Sequence, residues 1–206
     1  MARDELHARF LEIANGLSPD LRVAMERVGP PEPRDRGDQP VAGFLARAVV
    51  GQQLSTHAAA TIWSRVEAMA DGEGIAIPDD LTDEHFDVLR ACGVSRGKAR
   101  ALLAIRTAQA EGRLDGASLA ALDHAERSRR LRAIHGVGQW TCDMVAIFHC
   151  GDADVWPETD VAVQRTFTGL ISRRRKPARA AARFSPQRSW LARYMWRITD
   201  TEPDGD

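Results

Sequence analysis

Apolar residues recur along most of this chain at helical spacing, and over no convincing length do they alternate as a half-buried strand would. Residues 4–15 and 19–28 predict two helices. Gly29-Pro30-Pro31 ends the second, and the polar, proline-rich stretch to Pro40 reads as the clearest linker. Val41, Phe44, Leu45, Ala48 and Val49 fall at i, i+3, i+4, i+7 and i+8, the stripe of an amphipathic helix. That helix runs into GQQLST, where Ser55 or Thr56 can cap a further helix carrying Ile62, Val66 and Met69. A loop rich in Gly, Asp and Pro is expected from Asp71 to Asp80, followed by short helices around 82–91, 95–111, 118–123 and 126–134. Helices over 139–149, 160–171 and 187–199 complete the pattern, the last with aromatics on one face. With no internal repeat and no low-complexity segment, the expectation is an all-α fold.

Bulk composition narrows the class. Hydrophobic residues at 44% and charged residues at 28% describe an ordinary globular protein. No apolar run approaches the length of a membrane span, and MARDELHARF lacks the apolar core of a signal peptide, so the cytoplasm is the default location. Cys92, Cys142 and Cys150 make an odd set without CxxC spacing, better suited to reduced thiols than to disulfides or zinc. The net charge of −1 does not announce a nucleic-acid partner, so any such surface must come from clustering. Three basic clusters exist: Arg90 to Arg106, Arg127 to Arg132 just before the turn at 136–138, and Arg173 to Arg179. Each reads equally as a solvated helix face.

Two features carry candidate chemistry. LRAIHGVGQWTCDMVAIF reads as helix, Gly-Val-Gly hairpin, helix. Gly136 and Gly138 tolerate the positive φ that a tight turn demands, and a helix starting near Gln139 aims backbone N–H groups at an anion. A plain helix–helix corner would look the same, and His135 reads as a solvent-facing turn residue. Downstream, WPETDVAVQR places Asp160 before another helix. Asp160 or Thr159 can simply cap that helix; alternatively the carboxylate faces a bound sugar, stabilising positive charge on the ring or orienting a water. Trp140 and Trp196 suit a core or a stack on a flipped-out, cationic base. Gln52 and Gln53 suit a polar helix end or a plug filling the gap left by an extruded nucleotide.

Taken in order, four blocks resemble the helix-hairpin-helix DNA glycosylase superfamily, and within it the 3-methyladenine DNA glycosylase II branch of the AlkA/Mag type. FLARAVVGQQLSTHAAATIWSRV is similar to the family's plug-bearing helix and its successor, and GVSRGKARAL to the turn and helix that follow. IHGVGQWTCDMVAIF resembles the family hairpin, and PQRSWLARYMWR the closing helix with its Arg-Ser pair and final Trp. Together they run from Phe44 to Arg197.

The resemblance implies two helical lobes with a cleft between them, expected as 1–40 with 135–206 and as 41–134. It implies Asp160 as the catalytic carboxylate, chosen over Glu158 because Asp160 heads the VAVQR helix. Trp140, Trp196 and Met144 become pocket residues, Met144 standing where some relatives carry an aromatic. Gln53, with Gln52 beside it, becomes the plug; Gly136, Val137 and Gly138 grip a phosphate; Arg188 and Ser189 are further DNA-binding residues. A monovalent cation, Na or K, is implied on the main-chain carbonyls of Arg132, Ile134 and Val137, with no cofactor required. Trp140 stands where strand-cutting relatives place a Lys, so a monofunctional hydrolase is expected. No Cys follows Cys150, so no iron–sulfur cluster is expected. The implied activity is excision of alkylated purines from duplex DNA, by a monomer without membrane contact. The alternatives are a glycosylase for deaminated or mismatched bases and a non-catalytic DNA-binding or damage-sensing protein.

Overall fold

The computed structural model describes residues 3–32, 39–172 and 175–201. The elements run in the order α1 (Arg3–Asn15), α2 (Pro19–Val28), α3 (Val41–Gly51), α4 (Thr56–Glu73), α5 (Phe86–Ala91), α6 (Arg96–Ala110), α7 (Gly116–Ala120), α8 (His124–Arg132), α9 (Gln139–Met144), α10 (Val161–Leu170), α11 (Pro177–Ala181) and α12 (Arg188–Thr201). Among the described residues there is no strand, and the all-α expectation holds. Local sequence sets most boundaries. The side chains of Ser18, Ser55, Ser95, Asp115 and Asp123 each accept a backbone N–H in the first turn of the helix they precede. Gly74, in the left-handed region, ends α4. The stretch from Asp71, expected as loop, therefore begins as the last turn of α4. Among the described residues no helix is long and apolar enough to cross a membrane.

The chain divides into two compact units. One comprises Met1–Arg34 with Asp152–Asp206, the other Asp35–Gly151. The sequence expectation put the second boundary at 134/135; it falls instead at 151/152. The reason is geometric. A short turn makes two helices antiparallel neighbours, so α9 packs against α8 and against α3, and the whole hairpin stays in the central unit.

In the central unit, α3 is apolar on nearly every side: Val41, Phe44, Leu45, Ala46, Val49 and Val50 are all buried. It packs against α4, α6 and α9, as a helix apolar all round must. Trp63, Val66, Leu81, Leu89 and Leu102 fill the core beside it. After Met144 the helix of α9 continues as a π-wound segment, Val145–His149.

In the other unit, α12 packs on α2 and α10, and α1 on α2. Phe10 lies among Phe184, Tyr194 and Trp190, with ring centroids 5.0, 5.8 and 6.1 Å away. Arg197 donates to the carbonyls of Val28 and Pro30, closing the end of α2.

Candidate functional site

The central unit contributes the hairpin. Gly136 has φ +83°, and a Cβ built on it would lie 2.3 Å from the Cβ of Ala101 on α6. Both conformation and space require glycine. Gly138 is different, and here the expectation is corrected. Its φ of −99° and ψ of 179° are extended backbone open to any residue. A Cβ there would meet nothing within 4 Å. Gly138 caps α9 with no side-chain hydrogen bond, so no side chain shields the first-turn N–H groups of that helix. His135 is exposed, as expected.

Polar contacts fix the hairpin from two sides. Asp143, 3% exposed, accepts from Gln139 Nε2 at 2.8 Å and lies 3.1 Å from His124 Nε2, tying the start of α8 to α9. On the other side, Gln52 Nε2 donates to the Gly136 carbonyl at 3.1 Å and to Thr141 Oγ1 at 2.9 Å. Gln52 is thus a strut that holds the hairpin. Gln53, expected as the plug, is exposed, with a left-handed φ of +56°. Lys98 Nζ donates to the carbonyls of Val50 and Gln52 at 2.9 and 2.7 Å, closing the end of α3. Burial lowers the Lys98 pKa. Sequence reasoning missed this role because it counted Lys98 only as one charge of the Arg90 to Arg106 cluster. Trp140, half-buried, lies in the first turn of α9, and Met144, buried, ends it.

The clusters around Arg90 and Arg127 are less available to a partner than their sequence suggests. Arg90 donates to the Val94 carbonyl at 2.8 Å. Arg127 is buried and donates to the carbonyls of Leu119 and Leu122. Arg129 and Arg130 both pair with Glu126. Of the third cluster, Arg173 and Arg174 lie outside the described residues.

The other unit contributes the carboxylate. Asp160 is 6% exposed and is the N-cap of α10. Its Oδ1 accepts the Val163 N–H at 2.8 Å, and its Oδ2 accepts Trp196 Nε1–H at 3.2 Å. Capping and chemistry, posed as alternatives from sequence, are therefore compatible: one oxygen anchors the helix while the indole of α12 aims the other. Glu158, Asp160, Val161 and Gln164 line an open depression of about 670 Å³.

Arg188 and Ser189, expected to bind DNA, are corrected to braces of the loop before Asp160. Arg188 Nε and Nη2 grip the Asp154 carboxylate at 2.8 and 3.0 Å, and that pairing holds the Asp154 pKa below its usual range. Ser189 is buried; its hydroxyl donates to the Asp152 carbonyl at 2.6 Å and accepts the Val155 N–H at 3.0 Å.

No family model matches the sequence. DNA-3-methyladenine glycosylase 1 of Schizosaccharomyces pombe is 30% identical over 161 residues, covering 75% of this chain and 71% of that protein. The probable bifunctional transcriptional activator/DNA repair enzyme AlkA of Mycobacterium tuberculosis is 29% identical over 194 residues, covering 89% of this chain but 38% of its own length. Among solved structures, the Schizosaccharomyces pombe 3-methyladenine DNA glycosylase in complex with abasic DNA superposes with a TM-score of 0.77 at 27% identity, over 90% of this chain and 94% of that one.

Proposed function

Because the chain belongs to the DNA-3-methyladenine glycosylase family, we propose that it hydrolyses the N-glycosidic bond of alkylated purines in duplex DNA, acting as a monomer and leaving an abasic site. The observation that carries this reading is Asp160: a buried carboxylate anchored through one oxygen by a backbone N–H and through the other by an indole N–H. A purine alkylated at N3 or N7 is already cationic. It leaves with the electrons of the C1′–N bond and needs no general acid. Positive charge then builds on the deoxyribose, and water adds at C1′.

Asp160 stabilises that charge and orients the water. At about 4 Å and an effective dielectric near 20, one such charge pair is worth roughly 4 kcal/mol. Felt only in the transition state, that is on the order of a thousandfold in rate. Trp140 and Trp196 supply flat rings for a cationic base, and the Trp196 N–H holds Asp160. Gln53 serves as the plug. Gly138 and the first-turn N–H groups of α9 take a phosphate. The carbonyls of Arg132, Ile134 and Val137 offer oxygen donors only, which suits a hard monovalent cation. The Ile134 carbonyl already accepts the Val137 N–H at 3.1 Å, a bond its two lone pairs leave compatible with a cation. Na or K bound there would add positive charge toward the phosphate. With Trp140 where strand-cutting relatives carry an amine, no Schiff base forms and the strand stays intact.

Asp160→Asn tests the reading, because Asn caps a helix as well as Asp, at the loss of the Trp196 Nε1–H bond that the second oxygen accepts. The variant is expected to fold and to bind an abasic duplex normally, while release of methylated purines falls on the order of a thousandfold. Chromatography of the freed bases measures it, and strand breaks should appear only after alkali. Release at the unaltered rate would remove Asp160 from the chemistry.

A further inference from the structure

Arg175, Lys176, Arg179 and Arg183 stand within nine residues, on the approach to α11 and the 3₁₀ turn that continues it, Ala182–Phe184. Arg175 and Lys176 precede α11, Arg179 lies within it, and Arg183 lies in the 3₁₀ turn. With Leu17 and Ala180 they line a cavity of about 690 Å³ whose wall holds no carboxylate among the described residues. Two of the guanidiniums are held in place: Arg175 Nη2 and Arg183 Nη1 share the Gly16 carbonyl, at 3.1 and 3.4 Å. Gly16 leaves them room, since a Cβ there would lie 3.3 Å from Arg183 Nη2.

Several arginines elsewhere are neutralised by carboxylates. Arg3 pairs with Glu32, Arg113 with Glu111, Arg129 and Arg130 with Glu126, and Arg188 with Asp154. Acidic residues outnumber basic ones by 29 to 28, so counter-ions are plentiful in the chain. Among the described residues, none of these four cations pairs with one. A concave surface of guanidiniums and an ammonium, with its internal neutralisation left out, matches the oxyanions of phosphate groups.

We infer that this pocket is a second phosphate-binding site, which takes the DNA backbone several nucleotides away from the excised base. The inference rests on the duplex-DNA reading above. Asp160 stands at the N-terminal end of α10, a helix about 15 Å long, and the basic segment follows its C-terminal end in the chain. At about 3.4 Å per nucleotide, that length corresponds to roughly four steps of a strand. The pocket therefore adds affinity and not base selection. It holds flanking DNA whatever the sequence or the lesion.

The double variant Lys176→Gln, Arg179→Gln tests this. Unlike Arg175 and Arg183, neither side chain holds a hydrogen bond within the described residues, so the fold is expected to be unchanged, as thermal unfolding would verify. Affinity for an abasic duplex is measured against salt concentration, alongside single-turnover release of methylated purine at saturating enzyme. Losing two phosphate contacts should flatten the log–log salt slope by about 1.8 while the release rate stays the same. A slope equal to that of the unaltered protein overturns the inference. Inorganic tripolyphosphate, titrated in parallel, distinguishes the source of the phosphate. If it binds the unaltered protein and not the variant while the duplex slope does not move, the site serves a soluble phosphate and the DNA assignment falls. A flattened slope in a protein that releases no base would sink the catalytic reading and leave the pocket standing.

Discussion

Gly136 and Gly138 occupy one turn yet answer to different constraints. At Gly136 a side chain meets both a left-handed φ and the Ala101 methyl at 2.3 Å. Gly136→Ala should therefore destabilise the protein by about 2–4 kcal/mol, combining backbone strain with overpacking, seen as a lower urea midpoint. Gly138→Ala should leave the unfolding free energy within about 1 kcal/mol of its original value, because its backbone is unstrained and the space is open. It should instead weaken duplex binding, by standing where a phosphate approaches α9. Duplex affinity equal to that of the unaltered protein would show that nothing docks against Gly138. The sequence displays two glycines of equal weight, and only the φ angles and the room for a Cβ separate the constrained one from the unconstrained one.

Between elements, long-range polar contacts set the positions of the candidate site residues. The loop leading to Asp160 is fastened to α12 by Arg188–Asp154 and by Ser189. Since Arg188 holds the folded pKa of Asp154 below its unfolded value, this brace stabilises fully above about pH 4 and is lost as pH falls through the folded pKa. Asp154→Asn should therefore be less stable than the unaltered protein at pH 7, with the difference shrinking steadily below about pH 4. A difference that persists to the lowest pH would mean the pairing charge is not its source. Arg-Ser was recognisable as a motif, but its use inside the protein was not, because Asp154 lies 34 residues away in the chain. The same holds for Gln52, whose partner Thr141 is 89 residues distant.

At the scale of the molecule, the division at 151/152 keeps both helices of the hairpin in the central unit, with Cys142 in its core at 1% exposure. Burial, with a smaller push from Asp143, raises the Cys142 thiol to about 11, so it stays protonated and shielded at neutral pH. Iodoacetamide at pH 8 is expected to modify Cys150, which is only partly covered, while Cys142 reacts only as the central unit unfolds, faster with added urea. Mass spectrometry of the labelled peptides reads both. Equal labelling of the two in the folded protein would contradict this packing. Net charge, close to zero, concealed how the bases are distributed. Arg90, Arg127, Arg129 and Arg130, which look available, are spent on carbonyls and carboxylates within the fold, and the group around Arg179, without a carboxylate partner among the described residues, is visible only once those partners have been located.

What the amino-acid sequence determined by itself is whatever depends on near neighbours. Helical periodicity, the Ser and Asp caps, the Gly-Val-Gly turn and Asp160 at the head of α10 all follow from residues within about one helical turn of each other. Tertiary structure alone decided that Gln52 props the hairpin, that Arg188 and Ser189 brace a loop, that Trp196 donates to Asp160, and that the hairpin belongs wholly to the central unit. Each of these joins groups far apart along the chain. Whether a polar side chain meets solvent, a ligand or its own protein is settled by what the fold packs against it.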